Sequence, residues 1–113
     1  MSRYAQILET GDVNILNLET LEDLQGAVGG FIEAIPVQPG ASLPQTLTVY
    51  GNEEGRLIGM DINVLATRVL NFPYPLVGPV IIGGPLNDDG ESTNLPASWA
   101  NYLQSLSVQI VVL

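Results

Sequence analysis

The sequence contains no cysteine and no histidine, and its 3 basic residues are all arginine, so lysine is missing too. Without cysteine there is no disulfide, no thiolate nucleophile and no thiolate metal site, and the redox compartment cannot be read. Without histidine or lysine, the plentiful serines and threonines lack an ordinary base to activate them. Charge is scarce as well: 13% of residues are charged, against about 25% in an average domain. The surface must therefore be covered largely by Asn, Gln, Ser, Thr, Gly, Pro and exposed apolar groups, which permits association. Hydrophobic runs are short. No window approaches the ~18 apolar residues of a membrane span. The opening "MSRYAQILETGD" places no long apolar run behind its arginine, so no signal peptide is expected. A cytoplasmic protein without membrane contact is the expectation.

The charge that is present has one sign. Twelve carboxylates against 3 arginines give a net charge of -9, which repels phosphates and disfavours direct nucleic-acid binding. At 113 residues the chain has the size of one domain spanning 1–113 and can bury roughly 65% of its unfolded surface.

Along the chain, "RYAQILETGDVNILNL" reads as two strands joined at Thr10-Gly11-Asp12. "ETLEDLQGAVGG" reads as a helix over 20–29: Thr20 caps it, Asp23 answers as in a capping box, and Leu21, Leu24 and Val28 share a face. Gly29-Gly30 closes it. "FIEAIPV", "TLTVY" and the wholly apolar "VIIGG" read as strands, and "GNEEG" as a turn. A second helix is expected over 61–70, capped by Asp61, with Ile62, Leu65 and Val69 on one face. "NFPYPLVGP" holds too many prolines for regular structure. A third helix is expected over 96–106, with a core-facing Trp99 in line with Leu103 and Leu106, and "VQIVVL" reads as a strand or apolar tail. The whole predicts an α+β fold: a mainly antiparallel sheet with about three helices packed on one face.

Two of these pieces carry a resemblance. Gly29-Gly30-Phe31-Ile32-Glu33, then Asn52-Glu53-Glu54-Gly55-Arg56-Leu57, with Gly59 and Asn63 further on, resemble a family of small bacterial, phage and plasmid proteins catalogued only as a domain of unknown function. The similar stretch runs from about Leu21 to Gly84. It departs where Asn63 is followed by Val64 rather than the arginine frequent in that family, so no role of that arginine carries over. The resemblance implies a phage or mobile-element origin and no particular reaction.

Glu53-Glu54 admits three readings. A catalytic pair needs converging carboxylates in environments that separate their pKa values, and neighbours in a strand or turn diverge. A hairpin tip would use Asn52 and Gly55 for turn conformations, with Gly55 at positive φ, and leave the glutamates hydrated. Such a tip does not itself require two acids, which leaves partner contact. "NDDGE" over 87–91 places three carboxylates in four positions, but lacks the alternation and the distant closing glutamate of a calcium loop. The glycine pairs lack a phosphate-loop spacing. No catalytic residue, metal or cofactor is expected. The candidate partner-binding residues are Asn52, Glu53, Glu54, Arg56, Asp88, Asp89 and Glu91; Gly29, Gly30, Gly55, Thr20 and Asp61 are assigned to turns and caps. The leading expectation is a non-enzymatic interaction protein that binds a host protein or assembles as a homo-oligomer, the tail "VQIVVL" pairing edge to edge. Two alternatives stand beside it. One is an acidic DNA mimic of anti-restriction type, for which 12 carboxylates give thin cover against about one charge per 1.7 Å of duplex. The other is a small-ligand binder with a pocket between the sheet and "NFPYPLVGP".

Overall fold

The computed structural model describes residues 2–107. Five strands, β1 (Arg3–Ile7), β2 (Val13–Asn17), β3 (Ile32–Ala34), β4 (Thr48–Asn52) and β5 (Val80–Gly83), form one sheet in the order β2-β1-β5-β4-β3. Every pairing is antiparallel, so the architecture is α+β as expected. The expected "VQIVVL" element lies outside the described residues.

The central strand is the one the sequence marked as wholly apolar. All four residues of β5 are buried, because neighbours flank it on both sides and helices cover both faces. Full burial of Ile81 and Ile82 is worth roughly 2–3 kcal/mol each. β1 and β2 join through Gly11, which adopts φ 89°, so a β-carbon there would be strained.

The helices correct one expectation. Alternation along the strands sends Ala5, Ile7, Val80 and Ile82 to one face, where α2 (Val64–Val69) and α3 (Ala97–Ser105) contribute Ala66, Val69, Ala100 and Leu103. Tyr4 and Ile81 point to the other face, against Ala27 and Val28 of α1 (Leu21–Val28). The helices thus lie on both faces. A one-face arrangement would have left Ile81 and Tyr4 bare.

Helix α1 begins as its sequence indicates. Thr20 Oγ1 accepts from the Asp23 N–H at 3.1 Å, and Asp23 Oδ2 accepts from the Glu19 and Thr20 N–H groups at 2.9 and 3.1 Å, a cap worth about 1 kcal/mol. These backbone donors hold the Asp23 carboxyl below its ordinary value, the Glu19 N–H contributing most. Gly29 ends the helix at φ 80°, and the Gln25 carbonyl accepts from both Gly29 and Gly30 N–H. Leu21 is exposed, and Ala27 takes its expected place in the core.

Helix α2 is shorter than expected, and its cap is Asn63, not Asp61. Asn63 Oδ1 accepts from the Ala66 N–H at 3.1 Å. Asp61 and Ile62 are exposed and precede the helix, with Ile62 bridged to Val77. Asn63 is fully buried; its Nδ2 donates to the carbonyls of Ile7 and Gly78, both at 2.9 Å. One side chain therefore ties a sheet strand, the proline-rich segment and a helix start. In α3, Pro96 occupies the cap and Leu103 is fully buried, while Trp99 packs half-buried on the same core.

Candidate functional site

The two sequence motifs meet at one end of the sheet. β3 and β4 pair with Ile32 opposite Asn52 and Glu33 opposite Gly51, and the Glu53 N–H donates to the Phe31 carbonyl at 2.8 Å. Asn52 joins them to α1: its Nδ2 donates to the Val28 carbonyl at 3.1 Å and its Oδ1 accepts from the Glu54 N–H at 2.8 Å. A β-carbon on Gly30 would stand 2.8 Å from Asn52 Nδ2, so the glycine makes room for the amide.

These contacts correct two assignments. Asn52 is 6% exposed, and its amide bonds to Val28 and Glu54; its place in the structure is to position the turn. Gly55 does not sit at positive φ, the position in this stretch that does being Gly59 at φ 74°. Gly55 is buried, and a β-carbon there would come within 3.0 Å of Val77 Cγ2. The requirement is space, because residues 53–59 do not form a hairpin tip. They coil back on themselves: the Glu54 and Gly55 carbonyls accept from Ile58 and Met60 N–H at 3.0 and 2.9 Å.

The coil leaves Glu53, Glu54 and Arg56 exposed. Arg56 Nη2 donates to the Pro75 carbonyl at 2.5 Å, and its guanidinium lies 5.4 Å above the Tyr74 ring centre, within cation–π range. Tyr74 meets Phe72 edge to face at 5.2 Å. Between this proline-rich segment and the sheet lies a cleft of about 400 Å³, lined by Glu33, Ile35, Glu53, Arg56, Phe72 and Tyr74 among others. It is where the small-ligand alternative places a pocket.

Away from the cleft, Phe31 and Ile58 are 63% and 58% exposed, and Leu57 of the coil is 89% exposed. Phe31 and Ile58 line a shallow depression with Gln25, Gly30 and Glu54. Sequence reasoning placed Phe31 in a strand and missed its exposure, since a phenylalanine beside a glycine pair reads as core. The Arg56–Tyr74 stack was also missed, because the two residues meet only through the fold.

Asp88, Asp89 and Glu91 do not join this site. Gly90 and Glu91 border a hollow with Glu19 and Thr20 at the start of α1, whereas Glu54 lies near Gln25 and Gly29 at its end. In the second acidic loop, Asn87 Oδ1 accepts from the Asp89 and Glu91 N–H groups at 3.0 and 2.9 Å. Among the described residues, no group of three or more Asp or Glu side chains is placed to hold a metal ion, and no helix is long and apolar enough to cross a membrane. The site presents exposed carboxylates, one stacked arginine and uncovered apolar side chains.

No curated protein and no solved structure matches the chain. A family model does match, over residues 4–107, nearly the whole chain, and it includes both motifs that meet at this end of the sheet. The chain belongs to that family, described as a domain of unknown function (DUF3846).

Proposed function

We propose that this chain is a non-enzymatic interaction protein of phage or mobile-element origin, acting in the host cytoplasm, and that it binds a host protein through the end of the sheet where β3 meets the 53–59 coil. The observation that carries the reading is the exposure of Phe31, Leu57 and Ile58 around Glu53 and Glu54. Exposed large apolar groups next to charged ones are the ordinary composition of a binding patch. Burying them against a partner would repay their present hydration, and the acids would select the partner's charge. The test is capture from host lysate, with the bound proteins identified by mass. Wild type and the Asp88→Asn/Asp89→Asn variant should retain the same protein, and Phe31→Ser/Ile58→Ser should lose it. An identical captured set for all three rejects the site.

A second reading takes the cleft as a small-ligand site, favoured by the Arg56–Tyr74 stack on its wall. A ligand held there raises the melting temperature of wild type, and Arg56→Gln removes that rise.

A further inference from the structure

β3 is an edge strand of only three residues. In an antiparallel ladder, alternate residues bond to the neighbour and the rest point away. The Phe31 carbonyl accepts from Glu53, and the Ile35 N–H donates to the Val49 carbonyl at 2.9 Å. Glu33, between them, is therefore the bonded position opposite Gly51, and Ile32 and Ala34 direct their backbone N–H and C=O groups outward. The other edge differs. On β2 the outward N–H of Val13 donates to Ser107 Oγ at 3.0 Å, and α3 packs beside that strand.

Side chains around β3 are sorted by face. Glu33 shares its face with Ile35 and lines the cleft with Glu53. Ile32 and Ala34 occupy the opposite face, where Ile32 and Tyr50 both pack against the cluster of Tyr4, Ala27, Val28 and Ile81. A strand added outside β3 would set one side chain opposite Glu33 and its neighbours over Ile32 and Ala34. Opposite charges directly across a ladder stabilise it and like charges oppose it. A second copy of this chain is a poor occupant, because a two-fold pairing brings Glu33 toward Glu33 between molecules that each carry -9. A cationic strand suits the edge.

We infer that β3 is a docking edge for an extended, positively charged segment of a partner protein, in which Lys or Arg alternates with β-branched apolar residues and which adds as a sixth strand. This rests on the binding reading above and gives it a mechanism: ladder bonds to Ile32 and Ala34 supply affinity, and Glu33 and Glu53 select charge.

The probe is a fluorescein-labelled Lys-Val-Lys-Val-Lys-Val peptide, followed by anisotropy, with Glu-Val-Glu-Val-Glu-Val as control. The basic peptide should bind, more weakly as salt is raised, and the acidic one should not. Ala34→Pro removes an outward donor that β4 does not use, a substitution edge strands tolerate, and should weaken binding about tenfold or more through the lost ladder. Glu33→Gln/Glu53→Gln should weaken it several-fold and flatten the salt dependence. Hydrogen exchange on wild type gives a readout that does not depend on how the proline variant folds: the Ile32 and Ala34 amides should slow when peptide is present. No binding of the basic peptide, equal binding by folded Ala34→Pro, or unchanged exchange at both amides overturns strand addition. If any of these occurs while Phe31→Ser/Ile58→Ser still loses the lysate partner, only the docking mode fails. If that variant keeps the partner, the binding surface fails as well.

Discussion

Two stretches of this chain share a four-residue pattern: Asn52-Glu53-Glu54-Gly55 and Asn87-Asp88-Asp89-Gly90. Each asparagine side chain accepts an N–H from two residues on, at 2.8 Å for Glu54 and 3.0 Å for Asp89. Their local chemistry is the same, but their couplings differ. Asn52 is buried and also donates to α1, and a β-carbon on its Gly55 would crowd Val77. Asn87 is exposed, and Gly90 adopts φ 76° with open space around it. One pattern is built into the core and aims its acids beside uncovered apolar groups. The other is a self-contained surface loop. Acid count alone therefore says little about a site; what lies under the turn decides it.

The sharpest way to break this comparison is at the two glycines. Gly55→Val should cost about 2–3 kcal/mol by overpacking against Val77 and Met60. Gly90→Ala should cost about 1 kcal/mol, from positive φ alone. Thermal or urea unfolding separates them, and equal losses would mean the turns are equally exposed to the core. The asparagines come next. Asn52→Ala strands the buried Val28 carbonyl and should cost about 2 kcal/mol; Asn87→Ala should stay within about 1 kcal/mol. Smaller still are the acids. Both Glu53→Gln/Glu54→Gln and Asp88→Asn/Asp89→Asn should change stability by no more than about 0.5 kcal/mol. Only the first pair should slow association with the partner and reduce its salt sensitivity. A binding loss from the second pair would erase the distinction between the loops.

The smallest effect is one of pH and forms a baseline for the others. Asp23 has its carboxyl depressed by backbone donors in the folded protein. Its contribution is therefore present above the ordinary carboxylate range and is lost as pH falls through the lower folded value. Asp23→Asn should flatten that part of the acid limb of a stability–pH curve. An unchanged limb would show that the cap does not titrate with folding.

Much of the fold was legible in the sequence, where local chemistry settled it. The Thr20–Asp23 box, the Gly29 helix end and the buried β5 all follow from residues close in the chain. The failures arise where distant contacts decide. Asp61 and Asn63 are both good caps locally, and Asn63 wins because its amide also reaches Ile7 and Gly78. Helix placement on two faces depends on which sides of β1 and β5 are apolar, and the all-apolar β5 gives no alternation to read. At the candidate site, the glutamates and Arg56 were legible by type. The burial of Asn52 and the exposure of Phe31 were not, since both depend on where α1 lands.

The position of β5 bears on how the chain is made. β1 and β2 lie on one side of it and β4 and β3 on the other, so among the described residues β5 alone joins the two strand pairs, through Ile7–Val80 and Val49–Ile82 registers. During synthesis, every earlier strand has emerged before this one. Until it arrives, the inner edges of β1 and β4 are open and the core halves have no common partner. Closure is a late, long-range event with a high contact order, which slows folding and lengthens the time those edges are exposed to other chains. A nascent chain stalled before residue 80 lacks the strand that unites the two pairs.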